Sequence, residues 1–364
     1  MSKDIKFYSL TKILGKKATY NMIIGERSNG KTYSVLKYAL EQYFKTGGQV
    51  AIVRRWREDV IGRRASGVFE ALNKDESVIK ISGGKFEGVA YWSGKFYVCN
   101  YDEKTHKPIL DDNNIIGYCF ALSENEHNKS VSFPLITTIF FDEFLTKNLY
   151  LPDEFVLFMN TISTIVRQRD NVKIFMCGNT VNKFSPYFAE MGLKHIEKQE
   201  QGTIDVYKYG DSKLTVAVEY CSSIAKQKKS NFYFAFDNPK LQMITGGSWE
   251  LDIYPHLPMK YRPKDVVLHF FIEFNEKVYH CEVIKINTDV FIYAHDKTTP
   301  LKENSIVYTL QDKSSMWYNK NIFKPVIKIG AKIAWLIERN KIFYQDNEVG
   351  NAINNYFKIC KGGL

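Results

Sequence analysis

The sequence has few cysteines and no long apolar stretch. Its six cysteines are scattered and form no Cys-x-x-Cys pair, which argues against both a zinc site and a disulfide framework. No window approaches the ~18 consecutive apolar residues needed to cross a bilayer. The opening residues, MSKDIKFYSL, lack the apolar core of a signal peptide, and no repeat or low-complexity tract is visible. We therefore expect a cytoplasmic protein without a membrane partner, whose cysteines are reduced core residues.

The composition is that of a globular protein with an excess of positive charge. At 364 residues the chain exceeds the usual size of a single core, so two domains are favoured. Hydrophobic residues make up 45% of it, enough to bury a substantial core. Lys and Arg number 50 against 40 Asp and Glu. This excess predicts a polyanionic partner, nucleic acid before a membrane surface, and the alternative is a basic but inert surface.

The first half of the chain alternates apolar strands with amphipathic helices, which predicts an α/β fold with a mostly parallel central sheet. A meander of short strands over 78–101 predicts a hairpin insertion within it. The predicted strands and helices are strand 21–24, helix 31–45, strand 49–53, strand 136–141, helix 152–167 and strand 172–177.

The periodicity weakens beyond Pro186, and the Lys/Gln/Ser-rich stretch 222–230 predicts an exposed linker or lid. An antiparallel pair of strands, a third strand and two helices follow. We expect a first domain at 1–190, a lid or linker at 191–240 and a smaller α+β domain at 241–364. The predicted elements of this last domain are strands 266–274, 277–286 and 289–294 and helices 325–340 and 347–359.

One segment, GERSNGKT, fits the pattern G-x-x-x-x-G-K-[ST] and lies between a predicted strand and a predicted helix. Gly25 and Gly30 permit the tight loop whose amide groups surround phosphate oxygens. Lys31 is expected to reach the β- and γ-phosphates, and the Thr32 hydroxyl to bind Mg²⁺. Arg27 lies within the same loop and is included among the expected nucleotide-binding residues. The sequence therefore predicts a P-loop that binds ATP with Mg²⁺.

A second segment delivers carboxylates to a strand end. The apolar run 136–141 is followed by Asp142 and Glu143, and open α/β sheets bind their ligands at the carboxyl ends of strands. Asp142 is expected to hold Mg²⁺ and Glu143 to orient or deprotonate the attacking water. Asn179 follows the next strand and is either a sensor of the γ-phosphate or an ordinary turn residue. The pair of acids favours ATP hydrolysis.

Six segments together resemble the DNA-packaging ATPases of phi29-like bacteriophages: GERSNGKT, IFFDEF, VRRWRED, NKSVSFP, IVRQRDN and AHDKTTPLKENSIVYTL. The resemblance runs in order along nearly the whole chain and is dense only around these segments. It implies a homo-oligomeric ring, a pentamer in that family, which pumps double-stranded DNA through a portal into a procapsid. It also implies a packaging RNA as a further partner, and a location in the cytoplasm of the infected bacterium, docked transiently on the portal.

The same resemblance implies a terminase-like ATPase domain, a lid and a C-terminal RNase H-like domain that lacks the working carboxylates. It assigns an arginine finger, which acts on the neighbouring subunit's ATP, to Arg167, with Arg169 as the fallback. Lys129 corresponds to a second cation that acts in trans. The alternative interpretation of Arg167 is a helix C-terminal arginine favoured by the helix dipole.

The segment 53–64 is rich in arginine, and in the resembled family the loop after this strand grips DNA. We expect Arg57, Arg63 and Arg64 to contact phosphates, because a motor must move past every sequence. A solvated charged helix face would have a similar composition, so both interpretations stay open.

The C-terminal domain offers no recognisable set of nuclease acids. An RNase H-type nuclease needs about three or four converging carboxylates to hold two metal ions. The candidates Glu273, Asp289, Asp296 and Asp346 form no such pattern in the sequence. We therefore expect a nuclease fold without nuclease activity. The alternatives are a terminase large subunit that also cuts DNA, and a nucleic-acid-binding scaffold with ATP as a switch, against which Glu143 argues.

Overall fold

The chain folds into two compact units, Met1–Trp249 and Glu250–Leu364. Lys129 and the predicted linker residues 223–230 lie outside the described residues. The structure is a computed structural model, and the residues that it describes are 8–124, 131–146, 150–181, 183, 185–196, 198–222, 254–257, 259–311, 313 and 317–362.

The first unit alternates strands and helices as the sequence predicts. Its described helices are α1 (Thr11–Leu14), α2 (Lys31–Thr46), α3 (Gly62–Ser66), α4 (Glu70–Lys74), α5 (Ser77–Ile81), α6 (Glu154–Val166) and α7 (Pro186–Glu190). Its described strands are β1 (Tyr20–Gly25), β2 (Gln49–Arg54), β3 (Gly88–Trp92), β4 (Lys95–Tyr101), β5 (Pro108–Ile109), β6 (Ile115–Ala121), β7 (Ile136–Asp142), β8 (Lys173–Asn179), β9 (Ile204–Lys208) and β10 (Thr215–Tyr220).

These strands form one twisted sheet with the order β3-β4-β6-β2-β7-β8-β1-β10-β9, and β5 pairs with β4. The six central strands, from β6 to β10, are parallel, and the strands at both edges are antiparallel. Successive residues of β7 enter two different apolar clusters: Phe141 packs in one and Phe140 in the other. The sheet is therefore buried on both faces, as a parallel sheet requires, and its strand ends form the edge that carries the site.

The predicted hairpin insertion needs correction in two respects. Residues Ser77–Ile81 form helix α5 instead of a strand, because a short apolar run suits either state and packing decides between them. The hairpin itself forms at Ser93 and Gly94, both with positive φ. It is no separate insertion, since β4 pairs with β6 and extends the main sheet.

The predicted lid range, 191–240, also contributes to this sheet. Strand β10 pairs in parallel with β1, and β9 pairs with β10. The sheet therefore continues beyond the predicted boundary at residue 190. Residues 223–240 lie outside the described part of the chain, so the function of this range as a lid stays a prediction.

The second unit is an α+β domain. Its strands are β11 (Val266–Phe274), β12 (Lys277–Ile286), β13 (Asp289–Asp296), β14 (Val307–Thr309), β15 (Tyr318–Asn319) and β16 (Ile342–Tyr344), and its helices are α8 (Lys328–Glu338) and α9 (Asn347–Gly362). The sheet order is β15-β14-β11-β12-β13-β16. Strands β11, β12 and β13 form an antiparallel meander. Strand β14 pairs in parallel with β11, and β15 pairs in parallel with β14. The α+β class predicted for this part of the chain is confirmed, and its likeness to an RNase H-like domain stays a prediction.

Among the described helices, none is both long enough and apolar enough to cross a bilayer.

Candidate nucleotide-binding site

The glycine-containing loop joins the end of β1 to the start of α2. Gly25 ends the strand, and a side chain there would approach Cβ of Cys221 to 2.9 Å, closer than an ordinary contact. Gly30 precedes α2 with a φ of 93°, in the left-handed region that favours glycine. Arg27 is exposed in the middle of the loop. This backbone can surround a phosphate at a helix N-terminus, where the amide groups and the helix dipole both favour an anion.

Lys31 is the first residue of α2, and its ammonium group lies over the loop. Its Nζ donates to the carbonyl oxygens of Glu26 at 2.6 Å and Gly25 at 3.2 Å, and to Oδ1 of Asn29 at 3.2 Å. Oδ1 of Asn179, at the end of β8, lies 3.4 Å away. Burial lowers the pKa of Lys31, because a buried ammonium group loses its hydration. A phosphate beside Nζ would stabilise the charged form.

Strand β8 lies between β1 and β7, so the loop, Asn179 and the predicted acids share one edge of the sheet. The Thr32 hydroxyl donates to Oδ1 of Asp142 at 3.1 Å. The Asp142 side chain is only 8% exposed, and burial raises its pKa. Hydroxyl and carboxylate oxygens are the ligands that Mg²⁺ prefers, and a dication would offset the cost of the buried carboxylate. The residues present therefore fit magnesium.

Arg54, the last residue of β2, bridges the two acids. Its Nη2 lies 2.9 Å from Oδ2 of Asp142, and its Nη1 lies 3.2 Å from Oε2 of Glu143. Glu143 has a φ of 60° and a side chain that is 68% exposed. Sequence reasoning did not assign Arg54 to the site, because only the pairing of β2 with β7 brings it beside these acids.

Arg55 fixes the backbone that carries Glu143. Its guanidinium donates to both carboxylate oxygens of Glu154, at 2.6 and 2.9 Å. It also donates to the carbonyl oxygen of Phe144 at 2.8 Å and to that of Glu143 at 3.4 Å. Tyr187 donates to Glu154 at 2.7 Å. This buried network ties the turn after β7 to helix α6, and sequence reasoning missed it because Arg55 looks like any other arginine of its segment.

The two candidate finger residues have different environments. Arg167 is exposed at the C-terminal end of α6, and its side chain donates one described hydrogen bond, at 3.1 Å, to the carbonyl oxygen of Val131. Arg169 is partly buried, and burial lowers its pKa. Its guanidinium donates to the backbone carbonyls of Phe133, Pro134, Ile136, Ile165 and Val166. Arg169 therefore joins the end of α6 to the start of β7, whereas Arg167 is the more exposed of the two.

The three predicted DNA contacts lie on the surface that follows β2. Arg57 begins a short 3₁₀ helix, and its Nε lies 3.2 Å from a carboxylate oxygen of Glu124. Arg64 lies in α3, and its Nη1 lies 2.6 Å from Oδ1 of Asp59. Arg63 is exposed in the same helix. The charges at this surface are therefore mixed in sign, and its arginines are accessible.

The four candidate nuclease acids do not converge. Both carboxylate oxygens of Glu273 accept from Nζ of Lys313, at 2.8 and 2.6 Å. Asp289 and Asp296 lie at opposite ends of β13, and Asp346 accepts a hydrogen bond from the first turn of α9. Within the residues that the structure describes, the group of His, Cys, Asp and Glu side chains placed to share a metal ion includes none of these four acids.

Solved structures of packaging motors share this fold. The chain matches a chain of the phi-28 gp11 DNA packaging motor with a TM-score of 0.54 and 19% identity, over 98% of each chain. It matches a chain of the bacteriophage phi-29 viral genome packaging motor assembly with a TM-score of 0.56 and 20% identity, over 97% and 98% of the two chains.

Proteins that are similar in sequence are also phage DNA-packaging proteins. The chain is 28% identical over 178 residues to the DNA packaging protein of Bacillus phage B103, and 27% identical over 198 residues to that of Bacillus phage phi29. The aligned parts span 48% and 52% of the lengths of these relatives, about half of each. The profile of the podovirus DNA encapsidation protein family, Gp16, matches residues 1–311. Because this match covers far more than half of the chain, the chain belongs to the podovirus DNA encapsidation protein (Gp16) family.

Proposed function

We propose that this chain is the ATP-hydrolysing subunit of a viral DNA-packaging motor, a homo-oligomeric ring that translocates double-stranded DNA through a portal into a procapsid. A packaging RNA is a further expected partner, and the infected bacterial cytoplasm is the expected location. The observation that carries the proposal is the contact of Thr32 with Asp142, 3.1 Å apart, beside Lys31 and Glu143. Family membership and the packaging-motor relatives support the DNA substrate and the ring.

In this proposal each residue of the site has one task. The loop amides and Lys31 hold the phosphates, and Thr32 and Asp142 hold Mg²⁺. Magnesium, when bound there, neutralises charge that develops on the phosphate oxygens. Glu143 orients the attacking water and accepts its proton, and the backbone contacts of Arg55 hold Glu143 in place.

The short segment from Arg54 to Arg57 connects the site to the proposed DNA contacts. Arg54 touches the carboxylates of Asp142 and Glu143, and Arg57 follows it by only three residues on the surface. A phosphate that competes for Arg54 would change the contacts of the first residue of the segment that carries Arg57. We infer that this segment couples the state of the nucleotide to the grip on DNA.

A cation from a neighbouring subunit completes the proposed site. Arg167 is exposed and its side chain makes a single described hydrogen bond, so the guanidinium is available to reach across a ring interface. Lys129 is the second cation proposed to act in trans. The scaffold alternative is less well supported, because Glu143 directly follows Asp142 and offers an exposed carboxylate beside the proposed magnesium site. The nuclease alternative is less well supported, because Lys313 pairs with Glu273.

Steady-state ATP hydrolysis, measured with Mg²⁺ in the presence and absence of double-stranded DNA, tests the proposal. We expect hydrolysis that DNA stimulates, and its loss in Lys31→Ala. Lys45→Ala is the matched control, because Lys45 is an exposed lysine on the same helix. Absence of Mg²⁺-dependent hydrolysis by the assembled wild-type protein would refute the enzyme function. Cleavage of DNA by the wild-type protein with Mn²⁺ would restore the nuclease alternative.

A further inference from the structure

One face of the sheet in the second unit carries a cluster of imidazoles around a carboxylate. His269 on β11 is in register with Glu282 on β12. His280, also on β12, is in register with His295 on β13. Side chains two residues apart on a strand point to the same face, so all four meet there. The cluster belongs to the second unit alone and includes none of the residues proposed for ATP.

The ligand atoms of three of these side chains converge. Nδ1 of His269 lies 2.9 Å from Nε2 of His280 and 3.7 Å from Oε1 of Glu282. All three ligand atoms lie within 4.8 Å of one another. Zinc binds nitrogen and oxygen ligands at about 2.0–2.2 Å, so two ligands on a tetrahedral zinc lie about 3.4 Å apart. The distances from Nδ1 of His269 to the other two ligand atoms, 2.9 and 3.7 Å, lie below and above this value.

We propose that His269, His280 and Glu282 form a binding site for a transition-metal dication, with zinc as the preferred ion and a fourth position open to water or another ligand. Two imidazoles and a carboxylate are a ligand set suited to zinc, whereas Mg²⁺ prefers oxygen ligands. Two histidines and a glutamate with one open position also form a known type of zinc site.

The surroundings of Glu282 support this assignment. Its other oxygen, Oε2, accepts a hydrogen bond from the Tyr261 hydroxyl and lies 3.7 Å from Nε2 of His295. Oε1 is thus left facing His269. Partners of this kind orient the ligands of metal sites and strengthen binding. Tyr261 and His295 are therefore positioning residues in the proposed site.

The three ligands stand on paired strands, and ring contacts pack around His280. The ring of Phe271 stacks on His280, with centroids 4.8 Å apart and an angle of 22° between the planes. His280 also contacts the ring of His295, with centroids 4.7 Å apart. Nζ of Lys297 lies 5.4 Å from the centre of the Phe271 ring, on the sheet that carries the cluster. One competing explanation is a simple hydrogen bond between the rings of His269 and His280.

Metal titration of the full-length chain distinguishes these explanations. The protein is stripped with a chelator and titrated with Zn²⁺, with excess Mg²⁺ present to occupy oxygen-ligand sites, and Co²⁺ serves as a spectroscopic probe of tetrahedral coordination. His269→Asn and His280→Asn remove one ligand each. His195→Asn is the matched control, because His195 is 58% exposed and also contacts a carboxylate, that of Asp205, while the side chain of His269 is 54% exposed.

We expect about one Zn²⁺ per chain, a tetrahedral Co²⁺ spectrum, and loss of both in the two ligand variants but not in the control. Tyr261→Phe should weaken binding about 10- to 100-fold, because it removes a partner that orients Glu282. Glu282→Gln removes the third ligand and should also abolish binding. If it fails to fold, Tyr261→Phe and His269→Asn, at a histidine whose side chain is exposed, still test the proposal. No saturable binding by the wild-type chain, or equal binding by His280→Asn and His195→Asn, would overturn the proposal.

Discussion

Each of the two units has a carboxylate on a sheet strand, paired with a basic side chain. In the first unit Asp142 pairs with Arg54 at 2.9 Å, and in the second unit Glu273 pairs with Lys313 at 2.6 Å. The two carboxylates differ in their surroundings. Asp142 also accepts from Thr32, beside a loop that can hold phosphate. Glu273 has both oxygens on the lysine, so a carboxylate near a strand end is not by itself a metal site.

The largest expected effect concerns Arg167, the arginine finger proposed for the ATP site of the first unit. The Glu273–Lys313 pair of the second unit has no such requirement. Phosphoryl transfer builds charge on the transferred group, and an arginine finger is worth roughly 10³–10⁵ in rate. We predict that Arg167→Ala lowers ATP turnover of the assembled ring by a factor of this order. Stability should change little, because the side chain is exposed. Turnover and melting temperature are measured together.

Mixed rings separate action in trans from action in cis. Arg167→Ala and Glu143→Gln subunits, each inactive alone, should recover part of the activity when they assemble together. Absence of recovery at every ratio, with intact rings, would contradict the role of Arg167. Arg169→Ala should instead lower the melting temperature, because the hydrogen bonds from its guanidinium to five backbone carbonyls are lost.

The second prediction compares the acids of the two units directly. Glu143→Gln should lower turnover by roughly 10²–10⁴, the usual contribution of a general base, while ATP and Mg²⁺ still bind. Glu273→Gln should leave turnover unchanged. Single-turnover hydrolysis and nucleotide affinity are measured on both variants.

Glu76→Gln is the control for a Glu-to-Gln change at a residue with a left-handed backbone, like that of Glu143. Glu76 also has a positive φ, its side chain is also 68% exposed, and it also pairs with a basic residue. Near-normal hydrolysis by Glu143→Gln would remove Glu143 from its assigned role. An equal loss in Glu76→Gln would attribute the effect to folding.

The third prediction compares the stability that basic residues contribute in the two units. The side chain of Arg55 is 8% exposed and that of its partner Glu154 is fully buried. Breaking a buried pair costs about 3–5 kcal/mol, so Arg55→Met should destabilise the first unit by this order. Lys313→Met should cost about 0–1 kcal/mol, because that pair is partly exposed. Hydrogen exchange of β7 and β11 peptides reports the two units separately.

A double variant tests whether the cost comes from a buried charge without its partner. Arg55→Met combined with Glu154→Met should recover part of the lost stability, because no buried charge is left without a partner, although the Tyr187 hydroxyl loses its acceptor. If the double variant is less stable than either single variant, packing rather than charge determines the cost.

The smallest effect is expected at the surface after β2. If Arg57, Arg63 or Arg64 neutralises a DNA phosphate, its replacement by Ala should flatten the slope of log K against log salt by about one unit. Basal ATP hydrolysis without DNA should change little. Arg339→Ala, at an exposed arginine of the second unit, is the control.

The salt dependence of DNA binding is measured by titration at several salt concentrations. An unchanged slope in all three variants would favour a solvated charged surface over a DNA-binding one. Loss of basal hydrolysis together with stability would indicate a structural role for the segment.

Sequence reasoning was most reliable where the relevant residues are contiguous. The segment from Gly25 to Thr32 carries its own strand end, turn and helix start, so local chemistry alone predicted the loop. The antiparallel pair β11–β12 was likewise predicted with its bounds, 266–274 and 277–286. Sequence reasoning was least reliable over Ser77–Ile81, where a short apolar run fits a helix as well as a strand.

The sequence by itself determined the α/β class, the phosphate-binding loop and the acids at the end of β7, because these depend on local periodicity and on neighbouring residues. Only the tertiary structure decided which arginines serve which purpose. Arg54 and Arg55 are adjacent in the chain, yet one meets Asp142 and the other Glu154. His269 and Glu282 came together in the same way, through strand register. Contacts between distant segments depend on how strands pair and pack, and local sequence does not specify that.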